Sequence, residues 1–167
     1  MTKPQVNIVM GSKSDLPIMK KAAQQLEDFG IKYTINIISA HRAPRVLINH
    51  VEESMENGIQ VFIAGAGGAA HLPGVVAGLS KKPVIGVPIK SSISIDGWDS
   101  VLSILQMPSG VPVATVALDA AKNAAILAAQ ILATSDEVLS QKLDQFKIDQ
   151  REKVLKDNSE VMQGIPS

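Results

Sequence analysis

Five short β-rich runs, each followed by a stretch with helical spacing, constrain this chain more than any other feature. The runs are "VNIVM" (Val6 to Met10), "YTINII" (Tyr33 to Ile38), "VFIA" (Val61 to Ala64), "PVIGVP" (Pro83 to Pro88) and "VPVATVA" (Val111 to Ala117). After the first run, Ile18, Met19, Ala22, Leu26 and Phe29 recur at helical spacing, with Pro17 in the first turn and Gly30 as a stop. Pro44 opens a second helix that ends near Gly58, and a third begins near Pro73. Strands alternating with helices predict a parallel, doubly wound sheet with helices on both faces. The expected fold is therefore a three-layer α/β domain, with a flavodoxin-like strand order 2-1-3-4-5.

A chain of 167 residues is most simply one domain, 1–167, long enough to bury a sizeable core. Aromatics make up only 3% of it, so that core has to be built from Ala, Val, Ile and Leu, which suits close helix-on-sheet packing. The last segment, 136–156, reads as a charged helix with Val138, Leu139, Leu143 and Phe146 on one stripe. It follows a sheet that is already complete, so its stripe covers either its own domain or a neighbouring subunit. The tail "NSEVMQGIPS" carries no strong pattern.

Several function classes drop out. Sixteen basic residues balance sixteen acidic ones, so the basic footprint of a nucleic-acid binder is missing. The absence of cysteine removes disulfides, thiolate metal sites and Cys nucleophiles. No apolar run approaches the ~20 residues of a membrane helix. The opening "MTKPQVNIVMG" reaches glycine too soon for a signal-peptide core, so a soluble cytoplasmic protein is expected.

In an open parallel sheet, ligands bind beyond the carboxyl ends of the strands where strand order reverses. The loops after the first three strands are "GSKSD" (Gly11 to Asp15), "SAHRAP" (Ser39 to Pro44) and "GAGGAAHLPG" (Gly65 to Gly74), and they are the loops richest in reactive groups. "GSKSD" begins a helix, whose free N–H groups suit an anion, while Asp15 suits sugar hydroxyls. The plainer reading is that Ser14 or Asp15 caps the helix. Arg42 is a natural fork for phosphate and Ser39 a second donor, unless Arg42 forms a surface ion pair. His41 is a proton carrier, a metal ligand or a polar loop residue. The metal reading is weak, because His41, His50 and His71 fall in separate segments, and His50 inside the second helix reads as structural. Gly65, Gly67 and Ala70 formally match G-x-G-x-x-A, but they follow the third strand, and no acidic ribose partner lies about 20 positions on. No P-loop motif occurs either. Tight helix–sheet packing accounts for the same glycines.

Taken together, "MGSKSD", "SAHR.P", "AGAGGAAHLPG", "GVP" and "LQMPSGVPVATVA" resemble the class I N5-carboxyaminoimidazole ribonucleotide mutases, in order from about Val6 to Leu132. The resemblance implies transfer of a carboxylate from an exocyclic nitrogen to C4 of an aminoimidazole ribonucleotide in purine biosynthesis. CO2 would be lost, trapped and recaptured, with no metal and no cofactor. His41 would shuttle the proton. Ser14, Ser39 and Arg42 would hold the 5′-phosphate, and Asp15 the ribose hydroxyls. Ser12, with the backbone N–H groups of Ala66 and Gly67, would face the migrating carboxylate, while His71 and Leu72 would close the pocket wall. The family further implies a homo-octamer whose final helix reaches a neighbour, and an ATP-dependent carboxylase as the metabolic partner that makes the substrate. A direct CO2-dependent carboxylase is an alternative, although "GGAAHLPG" resembles the mutase branch. A non-catalytic module binding a phosphoribosyl ligand is another, and it would have no use for His41. Three departures from the family pattern are Ala43 in place of a capping Thr, "VALDAAKNAA" in place of a Gly-rich turn, which leaves Asp119 as a candidate cap for the following helix, and Trp98 in place of Leu.

Overall fold

A computed structural model describes residues 3–164. Its sheet has five parallel strands in the order β2-β1-β3-β4-β5. The strands are β1 (Val6–Met10), β2 (Tyr33–Ile37), β3 (Val61–Gly67), β4 (Val84–Ile89) and β5 (Ala114–Thr115). The helices are α1 (Leu16–Phe29), α2 (Pro44–Glu56), α3 (Leu72–Leu79), α4 (Trp98–Leu105), α5 (Ala121–Ala133) and α6 (Glu137–Gly164). The predicted three-layer architecture and strand order are those observed.

Alternation along the strands builds two cores. Val6, Ile8, Met10, Val61, Ile63, Ile85 and Val87 face α1 and α5, whose Ala22, Ala23, Ala125 and Ala129 let the helices approach closely. Val9, Phe62, Ala64, Ala66 and Val84 face the other way, against Leu47 and Val51 of α2, Val76 of α3 and Ile104 of α4. Every residue of β1 and β4 is buried, as expected for strands covered on both faces.

One polar group interrupts this pattern. Asn7, fully buried on β1, donates from Nδ2 to Thr34 Oγ1 at 2.7 Å and lies 3.0 Å from His50 Nε2. The polar residues of edge strand β2 thus turn inward toward α2, and His50 completes their network. His50 is structural. Burial lowers its pKa, with the Glu53 charge partly opposing, so the neutral ring that can accept from Asn7 is favoured.

Four sequence expectations are corrected. "VPVATVA" contributes only the two residues of β5, because Pro112 has no N–H for a ladder and the chain before it turns through Val111 N–H to Pro108 O at 3.2 Å. Asp119 does not cap α5; it sits at φ 57°, and its carboxylate accepts the Lys90 N–H at 3.0 Å, tying the end of β4 to the α5 approach. The final helix does not stop at Lys156 but runs on through Gly164, and the last three residues lie outside the described chain. Val138 also leaves the stripe read for that helix, being 66% exposed. Leu139, Leu143 and Phe146 do pack on their own domain, with Phe146 edge-on to Phe29 and Lys142 Nζ donating to Phe29 O at 2.8 Å. Beyond them, Val154, Leu155, Val161 and Met162 remain exposed.

Candidate active site

The carboxyl ends of β1, β2, β3 and β4 open onto one cavity of about 450 Å³. Gly11, Ser12, Ser14 and Asp15 line it from the first loop, Ser39, His41 and Arg42 from the second, and Ala66, Gly67 and Leu72 from the third. Short backbone bonds splice these loops to neighbouring strands: Ile38 N–H to Met10 O at 2.8 Å, and Gly11 N–H to Gly65 O at 3.3 Å. The volume falls in the range usual for a small-molecule site.

In the first loop neither Ser14 nor Asp15 caps α1 through its side chain; the capping box found there belongs to a short turn ahead of it, with Ser12 at the cap. A single 3-10 turn, Lys13–Asp15, precedes α1. Ser12 Oγ accepts the Ser14 hydroxyl at 3.0 Å and its N–H at 3.4 Å, and Asp15 Oδ2 accepts the Ser12 N–H at 3.0 Å. Asp15 is buried, and burial pushes its carboxyl above the usual range despite the opposing Ser12 and Ser14 bonds. The same carboxylate that braces the turn also faces the cavity.

In the second loop Ala43 leaves α2 without a side-chain cap, so the preceding residues close the turn themselves. Ala43 N–H donates to Ser39 O at 2.9 Å and Arg42 N–H to Ser39 Oγ at 3.3 Å. The Arg42 guanidinium reaches across to Gly11 O at 3.4 Å. Among the described residues no carboxylate lies within ion-pair distance of it, and the surface ion pair considered for Arg42 is not formed. A cation at a cavity mouth without a protein counter-charge is suited to an anion.

His41 is held from the third loop. Its Nε2 lies 2.8 Å from His71 Nδ1, with the rings 84° apart. His71 is not among the residues lining the cavity and meets it only through this contact with His41. Among the described residues no three His, Asp or Glu side chains gather as a metal-binding group. His50 is remote, beside a separate hollow of about 170 Å³.

Sequence reading missed the fourth loop. Ser91, Ser92 and Ile93, just past β4, also line the cavity. Their signal was positional: β4 lies next to β3, so its carboxyl end opens on the same edge. Gly67 is required at this point, since a Cβ there would stand 2.8 Å from Ser91 Cβ and 2.9 Å from Ile89 O.

Residues 5–153 match the family model described as AIR carboxylase. Over 152 residues the chain is 57% identical to the N5-carboxyaminoimidazole ribonucleotide mutase of Pyrococcus horikoshii, covering 91% of this chain and 85% of that one. The mutase of Thermotoga maritima is 55% identical over 152 residues, covering 91% and 88%. The phosphoribosylaminoimidazole carboxylase of Saccharomyces cerevisiae is 51% identical over 155 residues, 93% of this chain but only 27% of that protein. The crystal structure of Treponema denticola PurE superposes with a TM-score of 0.85 at 34% identity, covering 95% of this chain and 98% of that one.

Proposed function

The chain belongs to the AIR carboxylase family, and from that premise we propose that it is a mutase acting on N5-carboxyaminoimidazole ribonucleotide in purine biosynthesis. The observation that carries the reading is the joint placement of Arg42, Asp15 and His41 on one cavity, from two separate loops. Phosphate, ribose and a transferring proton each need one of these groups.

The reaction is an isomerisation. The exocyclic N–C bond breaks, CO2 departs, and the nitrogen gains a proton. The CO2 carbon then bonds to C4, and the C4 proton is removed, so one proton passes in net from carbon to nitrogen. His41 is the imidazole lining the cavity and carries that proton; positioned acid–base groups typically contribute ~10²–10⁴ in rate. Arg42, Ser14 and Ser39 hold the 5′-phosphate over the β1 and β2 loops. Asp15, an acceptor when ionised, takes the ribose hydroxyls. Ser12 and the backbone N–H groups of Ala66 and Gly67 face the carboxylate, and rigid backbone donors suit charge that shifts during reaction. Leu72 supplies apolar wall, and His71 orients His41.

The mutase is preferred to a direct carboxylase because the mutase relatives match nearly end to end, whereas the yeast carboxylase name attaches to a protein of which the matched part is about a quarter. A trapped CO2 also needs a closed chamber, yet His41 and Arg42 are exposed in the single chain. A neighbouring subunit closing the cavity fits this, as does the 83% exposure of Ile93 at its rim. The family resemblance implies an octamer, and we infer one here, with the outer part of α6 lying on a neighbour. No helix among the described residues is long and apolar enough to cross a membrane. The reading places the enzyme in the cytoplasm, supplied by an ATP-dependent carboxylase. Its test is conversion of the N-carboxylated ribonucleotide to the C-carboxylated isomer without ATP or added bicarbonate.

A further inference from the structure

We propose that Ser91 is a substrate-contacting residue whose hydroxyl holds the migrating carboxyl group beside the backbone of Ala66 and Gly67. The assignment rests on the mutase reading above and concerns a residue outside the three loops that reading uses.

The first ground is an unmet bond. Ser91 Oγ is buried and has no hydrogen-bond partner among the described residues. Folding does not favour such a group, because it gives up its water and receives nothing in return. A hydroxyl kept in that condition on a cavity wall is explained if its partner arrives with the ligand.

Position supplies the second ground. Ser91 packs against Gly67 so closely that a Cβ on Gly67 would lie 3.1 Å from its Oγ. The hydroxyl therefore sits at the backbone already placed against the carboxylate. Strand order also separates the two ends of the substrate. Arg42, Ser14 and Ser39 follow β2 and β1, whereas Ser91 follows β4, beyond β3. With the phosphate over the first pair, the base and its carboxyl group are what extend toward Ser91.

Charge supplies the third ground. The group passes from carbamate anion through neutral CO2 to a ring carboxylate. A fixed cation there would stabilise the starting anion as much as the product and oppose the loss of CO2, whereas a hydroxyl can both donate and accept. Lys90, the adjacent cation, is drawn away: its Nζ pairs with Asp96 at 2.6 Å, and its N–H is held by Asp119. The loop thus offers a neutral hydroxyl where a lysine stands one residue off.

The test is Ser91→Ala, assayed beside the wild type with substrate carrying a ¹³C carboxyl group, in unlabelled bicarbonate. The variant should melt no lower than the wild type, because it removes an unpaired hydroxyl. It should lower kcat about tenfold, the scale of one neutral hydrogen bond lost from the transition state. It should also release more decarboxylated ribonucleotide and lose ¹³C from the product. Retention of label with unchanged kcat overturns the assignment, as does a lower melting point with unchanged partition, which would mark a structural role. If the wild type itself makes no C-carboxylated product, the mutase reading fails and this assignment falls with it. If the wild type converts with label retained and the variant does the same, only Ser91 is misassigned.

Discussion

His41 Nε2 and His71 Nδ1 face each other at 2.8 Å, edge to face. A bond of that kind requires one proton between the two nitrogens, so the neutral rings hold complementary tautomers. His71 thereby fixes which way the His41 ring is turned. It also occupies the Nε2 nitrogen of His41. Binding of the ribonucleotide must either break this bond or work through the opposite nitrogen of His41.

His41→Gln preserves a polar side chain of similar reach but cannot carry a proton at neutral pH. Turnover should fall by a factor of ~10²–10⁴ while ribonucleotide affinity stays within a few-fold of wild type. Steady-state kinetics with equilibrium binding separates the two. Near wild-type kcat would exclude His41 as the proton carrier.

Arg42→Ala removes a cation that has no counter-charge among the described residues. Affinity for the ribonucleotide should drop by about tenfold to a hundredfold, the scale of a lost charge-assisted hydrogen bond. The dephosphorylated ribonucleoside should bind both proteins alike. Equal losses for both ligands would place Arg42 away from the phosphate.

Asp15→Asn tests the buried carboxylate. Its folded pKa is raised mainly by burial, so the native state holds that proton more tightly than the unfolded chain. Wild-type stability should therefore fall as pH rises from about 3.9, the unfolded value, through the folded pKa, and the deficit should be complete above it. The variant lacks this step. Urea unfolding of both proteins should show its relative stability growing across that window and then levelling, while its substrate affinity at neutral pH declines. A pH-independent difference would remove the burial explanation.

The fold was legible because parallel strands and their helices bury faces, and burial leaves periodic apolar signals. The run from Val6 to Met10 and the spacing of Met19, Ala22 and Leu26 are signals of that kind. Where a segment buries nothing, the signal stops. The stretch after Lys156 is exposed throughout its described side chains, so its helix has no apolar stripe to read. The late start of β5 goes with the missing N–H at Pro112 and the turn at Pro108 to Val111, against which a β-rich composition carries no warning.

The site was legible for a different reason. Strand order places three loops together, and charge or imidazole marks the residues that matter in two of them. Ser91 went unseen because an uncharged hydroxyl in a Ser/Ile loop resembles any surface turn. Only its buried, unpaired oxygen against Gly67 sets it apart. Asp119 was taken for a cap because Asp before a helix is so often one; its left-handed backbone and its bond to Lys90 are visible only in three dimensions.

The central claim is most directly tested by incubating the protein with N5-carboxyaminoimidazole ribonucleotide, in the absence of ATP and added bicarbonate, under conditions that preserve this labile compound. The account predicts C4-carboxylated ribonucleotide formed at a rate proportional to protein, with His41→Gln as the inactive control. Decarboxylated ribonucleotide alone, appearing at the rate seen without protein, would contradict it.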